Sequence, residues 1–253
     1  MGAGHSHPLY IHGDSPVHDL APQVKVVAVL AFVVAVVLAP REALWVFAVA
    51  AALVAATARL AGIPGRVLAR RLLFETPFVI FAVLLPVIGA GERIEVLWFS
   101  LSVEGLWGAW NIIAKATLGL GATLLLTATT EVPKLLAGLE RLHLPAILTG
   151  IAGFMVRYTD LLADDLRRMR IARASRGDDP RWLWQAGGIA ATAGALFLRS
   201  FERGERVFLA MQSRGFVGTW PDATLAPAPP GAWLAALTVP AVVAACTTVA
   251  LFR

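Results

Sequence analysis

The chain has a single cysteine, Cys246, inside its last apolar run, so no intrachain disulfide can form and redox compartment is not encoded. Charge is scarce as well. Only 15% of the 253 residues are Asp, Glu, Lys or Arg, against about a quarter in soluble domains. No Gly-x-x-x-x-Gly-Lys-Ser/Thr loop is present, which excludes ATP binding by that route. His-Glu-x-x-His and Gly-x-Ser-x-Gly are also missing, which removes the zinc-protease and nucleophile-elbow chemistries. Residues 1–23 lack a basic stretch ahead of an apolar one and read as a polar tail, not a signal peptide. What the chain has instead is apolar surface: 58% of its residues, with mean hydropathy +0.71. A soluble fold of this length could not hide that much from water. An ordinary cytosolic enzyme, a disordered chain and a secreted disulfide scaffold are excluded, and an integral membrane protein remains. The net charge of +5 then reports topology and anionic lipid, not nucleic acid.

Apolar segments run over 26–39, 43–58, 76–91, 106–130 and 231–252. The first three fall short of the roughly 20 residues that cross a bilayer, but five such runs in one chain predict an all-α protein with about five spans. The connection 59–71 carries Arg59, Arg66, Arg70 and Arg71 and no acid, whereas 92–104 carries Glu92, Arg93, Glu95 and Glu104. Positive connections stay in the cytoplasm, so 59–71 and the N-terminus are expected inside. Two further apolar runs, 142–156 and 182–198, are ambiguous. If both crossed, Arg157, Arg167, Arg168, Arg170, Arg173, Arg176 and Arg181 would all lie outside, against the same rule. The expected organisation is a tail at 1–23, a four-helix membrane region at 24–130, a cytoplasmic or interfacial unit at 131–230 and a last span at 231–253.

The charge-rich unit predicts two long helices. Residues 157–176 contain no Gly or Pro, and Leu162, Leu166 and Met169 share a face. Asp164 and Asp165 precede a block of arginines, an order that suits the helix dipole and gives i, i+3 and i, i+4 pairs such as Asp164 with Arg167 and Arg168. A second helix is expected from about Trp182 to Arg214, with Phe197, Phe201, Phe208 and Met211 in an apolar row and Arg199, Arg203 and Arg206 in a basic one. Both helices end in the same tripeptide: Ser175-Arg176-Gly177 and Ser213-Arg214-Gly215. A basic residue before a terminal Gly is ordinary helix-ending chemistry. Twice in one unit, it also suits a plug: Gly turns the chain aside while a planar guanidinium projects toward an acidic groove.

Other polar groups invite weaker readings. His5, His7, His12 and His18 could suggest a cobalt or nickel site, but no Cys joins them and a mobile tail is the simpler account. Lys115 lies within an apolar run and Glu75 at the edge of one; the readings are snorkelling or structural pairing for the first and an interfacial position near Arg70 and Arg71 for the second. Asn111 could bond across helices.

Several stretches resemble a known family. Ser15-Pro16-Val17-His18-Asp19-Leu20-Ala21-Pro22-Gln23-Val24-Lys25 is similar to its opening Ser-Pro-x-His-x-Leu-x-Pro-x-x-Lys, and Thr129-Thr130 with Leu139 to Pro145 to a segment after its fourth span. Arg157-Tyr158 through Gly177, and Ala210 to Phe216, resemble its two signature helices. The family is the transmembrane T component of energy-coupling factor (ECF) transporters, a branch of the ABC importers, in its cobalt-type CbiQ form. Its usual signature is Ala-Arg-Gly, where this chain twice has Ser-Arg-Gly; Ser is small enough to preserve close docking. The resemblance implies a non-catalytic bacterial inner-membrane subunit that needs no cofactor of its own. Its implied partners are two CbiO-like ATPase subunits, a CbiM-like substrate-capture subunit and a small CbiN-like accessory subunit. By the same resemblance Ser175, Arg176, Gly177, Ser213, Arg214 and Gly215 would dock the ATPases, with Arg173, Met211 and Phe216 in support. Cobalt is the implied cargo, with nickel or a vitamin as the alternative; a membrane-embedded enzyme using Glu75, Lys115 and the histidines is the more remote one.

Overall fold

The computed structural model describes residues 10–88, 93–96, 99–178, 187–217 and 228–252. The elements in chain order are α1 (Pro16–Asp19), α2 (Pro22–Leu38), α3 (Leu44–Leu60), α4 (Gly65–Leu72), α5 (Thr76–Ile88), β1 (Arg93–Val96), β2 (Phe99–Ser102), α6 (Val103–Thr129), α7 (Val132–Arg141), α8 (Ala146–Ala174), α9 (Gly187–Gln212) and α10 (Pro230–Leu251). The fold is helical. The two strands form a four-pair antiparallel hairpin in the connection between α5 and α6. Local chemistry sets several helix starts. Proline stands in the first turn of α1, α2, α7 and α10, where its missing N–H costs nothing. Ser102 caps α6 by accepting from the Gly105 N–H at 3.2 Å.

The chain forms two compact units, one of Met1–Leu142 with Leu225–Arg253, the other of His143–Thr224. In the first, α2, α3, α6 and α10 surround a core of Phe32, Val36, Val46, Phe47, Leu118 and Val243. Small residues let α6 pack closely: a Cβ on Gly105 would stand 2.5 Å from the Leu85 carbonyl oxygen of α5. Thr247 of α10 donates to the Ala35 carbonyl of α2 at 3.2 Å, a buried tie between helices far apart in sequence. The outward faces stay apolar. Phe78, Ile80, Phe81 and Val83 on α5 are each more than half exposed, as are Leu30 and Leu38 on α2. Apolar surface of this extent belongs in lipid.

Val103–Thr129, Ala146–Ala174 and Pro230–Leu251 are each long and apolar enough to cross a membrane, and α4 with α5 qualifies as a pair bent by 61°. The 17-residue α2 and α3 reach about 26 Å, just under the hydrocarbon thickness. The expected spans at 26–39, 43–58, 106–130 and 231–252 thus fall on α2, α3, α6 and α10. The 76–91 run falls on α5 up to Ile88, and its remainder lies outside the described residues. The part of the 142–156 run from Ala146 onward falls on α8, which is itself long and apolar enough to cross a membrane.

Candidate functional site

In the second unit, α8 and α9 form an antiparallel pair whose register is set by side chains. Near the end of α8, Arg173 Nη1 donates to Thr192 Oγ1 of α9 at 3.3 Å. Further along, Arg203 of α9 donates to Asp165 of α8 at 3.1 Å, and Asp165 also accepts from Arg168 at 2.7 Å. Beyond that, Ile151, Phe154, Met155 and Tyr158 of α8 share an apolar groove with Phe208 and Met211 of α9 and with Phe216. The end of α8 therefore lies by the start of α9, and the end of α9 by the first turns of α8.

Both Ser-Arg-Gly tripeptides close their helices in the same way. Gly177 and Gly215 take φ of +79° and +85°, which a side chain would strain. The Gly177 N–H reaches the Ala174 carbonyl at 3.0 Å, inside a bond from the Asp178 N–H to the Arg173 carbonyl at 3.1 Å. The second end repeats the pattern, Gly215 to Gln212 at 2.9 Å and Phe216 to Met211 at 3.0 Å. This is the Schellman closure, and it satisfies carbonyls that the helix leaves orphaned. Arg176 and Arg214 sit immediately before the turning glycine, exposed, and neither forms an ion pair among the described residues. Measured along α8, from the turns facing Met211 to Arg176, the two arginines are separated by roughly 35 Å.

The residues that bracket each closure differ. At the first end they form an ionic latch: Arg173 Nε donates to Asp178 Oδ2 at 2.9 Å. At the second the pair is apolar, Met211 with Phe216, and both line the groove on α8. Arg173, Met211 and Phe216 thus belong to the two helix closures. The Arg173 guanidinium holds the Asp178 carboxyl below the usual carboxylate range. The latch therefore contributes fully above the ordinary carboxylate value, about 3.9, and is lost as pH falls through the lowered one. Arg173→Ala and Asp178→Asn should each raise hydrogen exchange at the amides of Ser175 to Asp178 several-fold at neutral pH. The two effects should not add, because either change opens the same pair.

Some sequence expectations are refined. Asp164 pairs with Arg167 at 3.3 Å, but Arg168 turns to Asp165 instead. Asp178 and Thr192 were not singled out from sequence; Asp165 was read only as a partner for the arginines of its own helix, while its bond to Arg203 spans 38 residues. The start of the second helix from about Trp182 lies outside the described residues, which resume at Gly187.

The opening motif proves structural. Ser15 caps α1 through the His18 N–H and also bonds His18 Nδ1 at 2.7 Å, while His18 Nε2 meets the Ile11 carbonyl at 3.0 Å. In the neutral imidazole, Nε2 donates to that carbonyl and Nδ1 accepts from the Ser15 hydroxyl. Lys25, only 6% exposed, donates to the His18 carbonyl at 3.1 Å, the Thr129 carbonyl at 3.1 Å and Thr130 Oγ1 at 3.2 Å. The two sequence blocks Ser15–Lys25 and Thr129-Thr130 are thereby joined in one knot. Lys115 donates to the Val37 carbonyl at 2.7 Å, satisfying the last turn of α2. Glu75 is buried and accepts from Thr117 of α6 at 2.9 Å. Asn111 Oδ1 is buried without a hydrogen-bond partner among the described residues, so no cross-helix bond reaches it. His5 and His7 lie outside the described residues, and among the described ones no group of three His, Cys, Asp or Glu could hold a metal.

Comparison with known proteins matches the cobalt transport protein CbiQ family over residues 13–224. The chain belongs to the CbiQ family. A putative fused cobalt transport protein CbiMQ of Methanocorpusculum labreanum is 26% identical over 143 residues, 54% of this chain and 24% of that protein. This chain therefore matches about a quarter of the fused protein's length. The energy-coupling factor transporter transmembrane protein EcfT of Streptococcus thermophilus is 28% identical, covering 83% of this chain and 84% of its own. EcfT of Heliobacterium modesticaldum is 29% identical, with 83% of each chain covered. This CbiQ-family chain is a transmembrane transport protein of the energy-coupling factor class, and both signature blocks, 157–177 and 210–216, lie inside the matched stretch.

Proposed function

We propose that this chain is the non-catalytic coupling subunit of a cobalt importer. Two CbiO-like ATPases bind below the membrane, one at Arg176 and one at Arg214. The observation that carries this reading is the pair of identical helix closures, each presenting an exposed arginine, at opposite ends of the α8–α9 pair. A separation of roughly 35 Å suits two protein partners better than one groove, since a small domain is about 30 Å across. An ATPase closing on its partner would pull the two ends relative to each other. The side-chain ties from Arg173 and Asp165 to α9 would pass that motion along the helices as a rigid element. The charge placement in 157–181 keeps this unit on the cytoplasmic side, with the N-terminus also inside.

A CbiM-like capture subunit and a small CbiN-like accessory subunit complete the assembly. The relative named as a fused CbiMQ supports the first of these. The EcfT relatives carry no cargo in their names, so cargo is the point to test. Proteoliposomes holding this chain with its ATPase and capture partners should accumulate radiolabelled cobalt only with ATP inside the ATPase compartment. Omitting this chain should remove uptake, and excess nickel should compete weakly. Uptake of a vitamin, or of nickel in preference to cobalt, would overturn the cargo assignment.

A further inference from the structure

The first unit contains an open cleft of about 270 Å³ between α2, α3, α6 and α10. Its walls are apolar: Ala28, Val29 and Phe32 on α2, Val54 on α3, Leu125 on α6 and Val239 on α10. At one end the surface turns polar. Leu20, Lys25 and Thr129 belong both to the cleft and to an adjoining mouth that includes Tyr10, Asp19, Glu131 and Lys134. The basic helix α4 flanks the same place, because Leu68 packs in a cluster with Val17, Val54 and Leu125, which are cleft residues. Arg59 at the end of α3 and Arg66 and Arg70 on α4 are exposed.

We propose that this cleft holds one acyl chain of an anionic phospholipid, with the phosphate at the basic rim. Three features of the site point to that occupant. The first is lining: the walls between the four helices are almost wholly apolar, which suits a hydrocarbon chain and no polar ligand. The second is the join between an apolar slot and a polar mouth, which matches an amphiphile and not a wholly apolar surface. The third is charge. Lys25 is committed to its carbonyls and Lys134 pairs with Glu131 at 3.3 Å, so the mouth itself is nearly balanced. The surplus comes from Arg59, Arg66 and Arg70, in a connection with no acid. Such a connection faces the cytoplasmic leaflet, where anionic lipids are attracted to juxtamembrane basic residues. The bound lipid would brace α10 against α2 and α3 beside the knot around Lys25.

The test uses the full chain reconstituted in vesicles of phosphatidylcholine and phosphatidylglycerol at seven to three, then extracted in mild detergent. Native mass spectrometry reads the lipid that stays bound. The wild type should retain one phosphatidylglycerol per chain. Ala236→Phe, which fills the cleft, should cut retention about tenfold, because displaced methylenes lose their burial. Arg66→Gln with Arg70→Gln should keep a lipid but lose the preference for phosphatidylglycerol over phosphatidylcholine. Both variants should still bind the ATPases, which shows that they fold. Equal retention of the two lipids by the wild type would overturn the proposal. So would undiminished retention by Ala236→Phe, or a cleft that holds no lipid and cross-links to a partner subunit.

Discussion

Arg176→Glu combined with Arg214→Glu should abolish co-purification of the ATPases while the chain stays folded in the membrane. Both side chains are exposed and make no ion pair among the described residues, so their loss removes nothing from the fold. The turns that carry them depend on Gly177 and Gly215 and on backbone bonds, which the change leaves intact. The effect falls on the partner. On the proposed docking, each guanidinium removed would strand acidic groups of the partner, at about 2–5 kcal/mol per end, and the introduced carboxylate would add repulsion. It also places negative charge at the negative end of a helix dipole. Summed over two ends, affinity should fall by about a thousandfold or more. Arg→Lys at both positions keeps the charge but loses the planar fork, and should weaken binding about tenfold. Pull-down yields checked against helix content by circular dichroism separate binding from folding.

Lys25→Met should be the most destabilising single change among the polar groups described above. The ammonium satisfies the His18 and Thr129 carbonyls and the Thr130 hydroxyl, in a position 6% exposed. Methionine fills similar space but donates nothing, leaving the buried Thr129 carbonyl unpaired at about 1–3 kcal/mol and the part-buried His18 carbonyl unpaired at about 1 kcal/mol. The hydroxyl can rotate to another partner, so the total is about 2–4 kcal/mol. Thermal unfolding in detergent should drop by about 5–15 °C. Lys134→Met, which removes only an exposed pair with Glu131, should shift it by no more than about 2 °C. A Lys25→Met variant as stable as the wild type would mean that the knot does not hold the first unit together.

The parts of this structure that could be read from sequence are those fixed by local chemistry. The helix ends at Gly177 and Gly215 were legible because a Schellman closure needs only a few consecutive residues and a glycine with positive φ. The apolar helices were legible because lipid selects composition segment by segment. What sequence could not supply is pairing over distance. Ser15–Lys25 and Thr129-Thr130 were each recognised, but Lys25 meets Thr129 across 104 residues, and no periodicity encodes that meeting. Asp165 looked like one of two acids serving the arginines of its own helix; its bond to Arg203 depends on how α9 returns along α8. Glu75 is a similar case, since the partner that reaches it is Thr117, 42 residues on.

The central claim is that both helix ends, not one, contact an ATPase. A photo-crosslinking amino acid placed at position 176 in one preparation and at position 214 in another, within the assembled transporter, tests it directly. The account predicts an ATPase adduct from each position. Crosslinks should change in yield when ATP is added, because the two ends are pulled as the ATPases close. An adduct from only one position, or adducts to the capture subunit or to lipid alone, would contradict it.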